Sequence, residues 1–183
     1  MALLHTPQKD ETLTAPDFTL KNIDGNMLSY DDVKGQNGTV IAFICNHCPY
    51  VQAIIERFVK DAKTLQDKGV GVVCIMPNDT DNYPEDDFDN MRKFAEKHGF
   101  AFPYLLDETQ KTAKAYDAIC TPDIFGFNAD KQLQYRGRLD SAGPNHADDD
   151  TEKELVNAMN EIVASGKSTD EQYASMGCSI KWK

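Results

Sequence analysis

The sequence predicts an α/β domain built on a central mixed β-sheet flanked by helices, and three observations carry that expectation. Two near-continuous apolar runs, residues 39–44 and 70–76, read as strands buried on both faces. Between them Val51, Ile54, Ile55, Phe58, Val59, Ala62 and Leu65 recur at helical spacing, so the unit is β-α-β with parallel strands. Farther along, two more strand-like runs joined by a short polar turn precede an amphipathic segment, which reads as β-β-α.

In chain order, residues 1–16 read as an N-terminal extension. Residues 17–30 predict a short hairpin turning at Asp24-Gly25, a dipeptide suited to tight turns. Strand 39–44 leads into a helix over about 49–68, ended by Gly69. Strand 70–76 is followed by an acidic loop from Asp79 to Asp87, then by a helix with Phe88, Met91, Phe94 and Ala95 on one face. Residues 102–106 predict a short strand and 109–116 a short helix. Residues 124–127 and 133–139 predict a hairpin across 128–131, and 152–164 the last helix. The tail, 165–183, ends in Gly177-Cys178-Ser179-Ile180-Lys181-Trp182, too apolar to stay in water, so it packs on the domain. The whole of 1–183 reads as a single domain.

Composition excludes several functions. A net charge of −11 argues against nucleic acid or an anionic membrane as partner, since both need a basic surface. No apolar run approaches the ~20 residues that span a bilayer. The first residues lack a basic start and apolar signal core, so the expected location is cytoplasmic. Five cysteines, an odd number, do not make a disulfide scaffold. In a reducing compartment, Cys-x-x-Cys beside a βα pattern reads as redox-active or metal-binding.

That motif is Cys45-Asn46-His47-Cys48-Pro49, set where the first strand gives way to its helix. A cysteine at a helix N-terminus meets unpaired N–H groups and the positive end of the dipole, which favour a thiolate. On this ground Cys45 is expected to attack and Cys48, inside the first turn, to resolve. His47 between them, as an imidazolium, would stabilise the Cys45 thiolate. Cys74 lies within strand 70–76 and reads as core. Asp79, Asp81, Glu85, Asp86, Asp87 and Asp89 lack the order of a calcium loop and read as a solvated loop and helix start. The run 146–150 reads as a charged cap for the last helix.

With these residues in view the chain resembles the peroxiredoxin-like redoxin group of the thioredoxin-like superfamily, related to AhpC/TSA. The resemblance is carried by Ala15-Pro16-Asp17-Phe18, the Cys45-to-Pro49 motif, Phe102-Pro103-Tyr104-Leu105-Leu106-Asp107, Thr121-Pro122 and the ending from Gly177 to Trp182. It implies a thioredoxin-like fold and a thiol-disulfide oxidoreductase cycling Cys45 and Cys48. Its redox-active disulfide needs no further cofactor. The implied partners are protein or small-molecule disulfides, with peroxides as the alternative, and a separate reductant. Thr121-Pro122 matches the loop that carries a cis proline in this superfamily, where the Thr121 backbone would pair with an extended substrate. Cys120 beside that loop reads either as a third exchange thiol or as an incidental small residue. Cys178 reads either as a second resolving thiol or as a packing residue of a docked strand.

Two family features are absent. The peroxidatic pattern Pro-x-x-x-Thr/Ser-x-x-Cys meets Gly38 and Ala42 counting back from Cys45, and Ile41 and Cys45 counting back from Cys48. Ile44 stands where thioredoxins carry Trp, and no acid occurs in 38–44 to move a proton to the second cysteine. A different class of function, a Cu(I) or Zn module using Cys45, His47, Cys48 and Cys120, lacks a second Cys-x-x-Cys or His-x-x-His, so no metal is expected.

Overall fold

The computed structural model describes residues 2–169 and 171–183. Its main sheet starts with an antiparallel hairpin, β2 (Thr19–Asn22) and β3 (Met27–Ser29), turning at Asp24-Gly25. The short α1 (Tyr30–Val33) follows, capped reciprocally by Ser29 and Asp32. Strands β4 (Gly38–Phe43) and β5 (Val70–Met76) are parallel, joined by α2 (Pro49–Gln66). Helix α3 (Phe88–His98) crosses to β6 (Tyr104–Leu106), parallel to β5.

Beyond α4 (Lys111–Ala115) and the two-residue β7 (Cys120–Thr121), β8 (Asp123–Phe127) runs antiparallel to β4 and pairs with β9 (Leu133–Gly137). Helix α5 (Glu154–Ser165) closes the domain. The seven strands take the order β3-β2-β6-β5-β4-β8-β9. A second, three-stranded sheet joins β1 (Leu3–His5), β10 (Met176–Ser179) and β7, so extension and tail are tied to each other and to the domain.

Both apolar runs are buried on both faces, as expected of central strands. Val40 and Ala42 of β4 join a core with α2, α3 and α5, whereas Ile41 and Phe43 join a second core with Tyr30, Ala113 and Tyr116. Strand β5 divides likewise, Val72 and Cys74 against Val73 and Ile75. Cys74 is core as expected, and burial pushes its thiol pKa up. Gly71 lets β5 pass under the chain leaving α1: a Cβ there would lie 2.2 Å from the Val33 carbonyl oxygen.

Most expected elements are present with shorter ends. The last helix starts at Glu154 with Lys153 at its N-cap, so the acidic run 146–150 is an exposed turn and not the cap. One buried ion pair braces β8 against β9. Arg136 spans both Asp123 oxygens, with Nη2–Oδ2 at 2.8 Å and Nε–Oδ1 at 3.2 Å, and also donates to the Asp117 carbonyl at 2.8 Å. Burial raises the Asp123 pKa and Arg136 opposes that rise. Removing one partner strands the other in a medium that solvates it poorly. Arg136→Met should therefore lower unfolding stability by about 3–5 kcal/mol in urea titration, and adding Asp123→Asn should recover part of the loss. A near-neutral single variant would mean that water reaches Asp123.

Candidate active site

The motif lies at the C-terminal end of β4, where the crossover to α2 begins. The helix starts where expected, but Cys48 lies outside it. Its first residue is Pro49 and its N-cap is Cys48, so Cys45 stands three residues ahead of the N-cap and Cys48 is not inside the first turn. Proline suits the first helical position, having no N–H to leave unpaired. The thiolate-favouring end of α2 thus belongs to Cys48.

Both sulfurs are buried, with each cysteine 0% exposed. Cys45 Sγ lies 3.2 Å from Thr121 Oγ1, and the Cys48 thiol reaches the Thr121 carbonyl oxygen at 3.0 Å. Thr121-Pro122 is a cis peptide bond, as the resemblance implied. Hydrogen-bond donors gather on the Cys48 sulfur. The Cys45 thiol donates to it, the backbone N–H groups of Cys178 and Val51 face it, and together they draw its pKa down to about 5 against the cost of burial. The Thr121 carbonyl works the other way, since it accepts only from a protonated Cys48. Cys45 is pushed well up by donating to Cys48, by burial and by the neighbouring Asp86 carboxylate.

Asp86 is the residue that the sequence reading missed. Expected in a solvated loop, it is 0% exposed. Its Oδ1 accepts from the backbone N–H groups of Asn46 at 2.8 Å and His47 at 3.3 Å, and its Oδ2 from Asn78 Nδ2 at 2.8 Å. His47 Nδ1 lies 2.8 Å from Oδ2 but off the line of a straight hydrogen bond, so that contact is chiefly ionic. Burial pushes the Asp86 carboxyl pKa up, but these donors outweigh it and the net shift is down. His47 is raised, first by Asp86 and then by Glu85, against its own desolvation. Its imidazole is therefore neither solvent-facing nor aimed at Cys45 alone. It is Asp86's counter-ion.

Asn46, with no evident chemical role in the sequence, holds the loop. Its Oδ1 accepts from Tyr104 Oη at 2.9 Å, its Nδ2 donates to the Glu85 carbonyl at 3.1 Å, and its own carbonyl accepts from Gln52 Nε2 at 2.9 Å. Cys120 is buried, and its thiol donates to the Pro122 carbonyl at 3.5 Å, with burial raising its pKa. The donor set of the metal-module alternative does not assemble as read: among the described residues, the donors that cluster within 4.8 Å are Cys45, His47 and Asp86. When His47 is protonated, it and Asp86 neutralise each other.

The expectation of an open Thr121 backbone is overturned. Thr121 is 1% exposed, and β10 already pairs with it, Cys178 opposite Thr121 and Ser179 opposite Cys120. The tail docks as an added strand and brings Cys178 to Cys48. Beside it a cavity of about 170 Å³ opens between Tyr50, Ile54, Pro122, Leu139 and Met176.

The chain's fold has counterparts among solved structures. An uncharacterized conserved protein from Geobacillus kaustophilus is 44% identical, with 100% of this chain and 97% of that one covered and a TM-score of 0.92. A hypothetical protein from Sinorhizobium meliloti is 34% identical over 98% of each chain, with a TM-score of 0.89. The thioredoxin domain of a thiol-disulfide oxidoreductase from Bacteroides vulgatus shares the fold at 18% identity and a TM-score of 0.64, covering 85% of this chain and 99% of that one. No curated protein matches the chain. Residues 12–136 match the AhpC/TSA family model, and on that match the chain belongs to the AhpC/TSA family.

Proposed function

We propose that the protein is a thiol-disulfide oxidoreductase that cycles Cys45 and Cys48 between dithiol and disulfide, acting on protein or small-molecule disulfides. The observation that carries this reading is the pairing of two adjoining buried thiols, one of them at the N-cap of α2, beside the cis Thr121-Pro122 bond. A thiolate attacks a disulfide sulfur, forms a mixed disulfide and expels one thiol; the second cysteine then attacks and expels the other. An external reductant returns the pair to the dithiol.

The order of attack turns on which sulfur carries the charge. Cys48 holds the N-cap, receives the donors and faces the tail strand, so we assign it the first attack and Cys45 the resolving step. Sequence position alone favoured the reverse order. A chromogenic aromatic disulfide separates the two: Cys48→Ser should lose the first thiol release, and Cys45→Ser should keep it. If Cys45→Ser alone loses that release, Cys45 attacks. Oxidised Cys178→Ser protein without a Cys45–Cys48 linkage would overturn the cycle itself.

AhpC/TSA membership favours a second reading, peroxide reduction by the same pair. Stopped-flow mixing of reduced protein with hydrogen peroxide and, separately, with a model disulfide compares the two. Faster reaction with the disulfide is expected, because neither cysteine has the peroxidatic Thr/Ser three residues before it.

His47 and Asp86 set the charge beside Cys45. His47→Ala leaves the Asp86 carboxylate uncompensated, so a thiolate in the reduced pair should be disfavoured and the potential become more negative. A coupling of ~1 kcal/mol corresponds to roughly 20 mV in a glutathione titration. An unchanged potential would mean that the pair acts on loop structure alone.

The ion pair also has a pH window. Asp86 is depressed, so its contribution to stability is present above the unfolded value of 3.8 and lost as pH falls through the folded pKa. His47 is raised, so its contribution is full below the unfolded value of 6.5 and lost as pH rises through the folded pKa. A double-mutant cycle of His47→Ala and Asp86→Asn should give its largest coupling between about pH 4 and pH 6.5 and a smaller one in alkali. A flat profile would disprove the pairing.

A further inference from the structure

We propose that Cys178 is a third redox thiol, that β10 is held in the site as a built-in substrate strand, and that Cys48 forms a disulfide with either Cys45 or Cys178. The inference rests on the Cys45–Cys48 cycle above and extends it. Strand β10 lies antiparallel to β7 with Cys178 opposite Thr121, the residue before cis Pro122. Its backbone N–H and its thiol both approach the Cys48 sulfur. This is the position that a substrate sulfur would take if an extended peptide paired with the Thr121 backbone.

The strand is fitted to that position. A Cβ at Gly177 would lie 2.2 Å from the Thr121 carbonyl oxygen, so only glycine permits the approach. Side-chain hydrogen bonds fasten the tail to the domain on both sides of β10. Ser175 Oγ donates to the Pro122 carbonyl at 2.8 Å. Asn78 Oδ1, from the side chain that also donates to Asp86, accepts from the Lys181 N–H at 2.9 Å, and Gln110 Nε2 donates to the Lys181 carbonyl at 2.7 Å. Tail packing alone would not require a thiol against the Cys48 sulfur.

The step is a thiol-disulfide exchange that needs no outside oxidant. Starting from the Cys45–Cys48 disulfide, the Cys178 thiolate attacks the Cys48 sulfur. The Cys48–Cys178 bond forms, the Cys45–Cys48 bond breaks, and Cys45 leaves with the electron pair. The proton lost by Cys178 returns to Cys45, where the Asp86 carboxylate disfavours a charge. In the reduced protein Cys178 is held protonated, its pKa pushed up to about 11 by burial and by donating to the Cys48 thiolate. Oxidation of Cys48 removes that thiolate, and with it part of the hold on the Cys178 proton. A protein disulfide reaches Cys48 when β10 leaves β7, so the same strand gates the site.

The test is oxidation of folded, full-length protein with diamide, a small two-electron acceptor, followed by peptide mapping without reduction. Cys45→Ser should yield a peptide linking Cys48 to Cys178, and Cys178→Ser should yield the Cys45–Cys48 link. Adding Gly177→Ala to Cys45→Ser should reduce the Cys48–Cys178 yield several-fold, with circular dichroism checking that the fold is kept. If oxidised Cys45→Ser retains an alkylatable Cys178 thiol while Cys48 is blocked or joined between chains, Cys178 is a packing residue and the proposal falls. Absence of the Cys45–Cys48 link in Cys178→Ser would instead overturn the two-cysteine cycle, so the two failures read differently.

Discussion

The buried carboxylate of Asp86 is the constraint on which the site depends. An ionised side chain with no solvent contact is stable only if donors replace the water it has lost. Here the donors are the backbone of Asn46 and His47 and the Asn78 amide, with the His47 ring close by, so satisfying one charge fixes the conformation of the Cys45-to-Cys48 loop. Asn78 extends the network, since its other amide atom receives the Lys181 N–H and ties the tail to the same carboxylate. Loop, acidic segment and tail are three distant parts of the chain held by one charge.

The sheet supplies the platform. Because β4 and β5 are covered on both faces, their ends lie at a rigid edge where the chain turns from strand to helix. The antiparallel β8 brings cis Pro122 to that edge from the other side, and the Asp123–Arg136 pair anchors the loop immediately after it. Helix α2 then begins at Pro49, which gives Cys48 the N-cap and leaves Cys45 in the loop. The two thiols, identical in covalent chemistry, meet different fields: helix-end donors around one, a carboxylate beside the other.

Closure of the site by β10 changes how its chemistry is reached. Both sulfurs are shut from solvent, and Thr121, a backbone pairing edge in the expected fold, already has a strand on it. A dry dithiol strengthens the electrostatic contrast between its two cysteines, since field effects are larger away from water. It also makes reactivity toward bulky partners depend on the tail's attachment. Side chains on both sides of β10 contribute to that attachment, together with β1 along its other edge.

Local sequence determined much of this protein. Apolar periodicity marked the strands and helices, since a run buried on two faces and a stripe at helical spacing are properties of neighbouring residues. The Cys-x-x-Cys spacing and the Thr-Pro step were legible for the same reason, helped by a family resemblance. Element ends were less so: the last helix starts at Glu154 and not at residue 152, and Cys48 caps α2 from outside its first turn. Tertiary structure alone decided the rest. Asp86 looked like one acid among six in a polar stretch, and only its burial, 40 residues away from Asn46, made it the site's counter-charge. Cys178 was equally ambiguous, a tail cysteine whose meaning depends on where the tail lies. Both roles arise from contacts between residues far apart in sequence, whose partners no local pattern encodes.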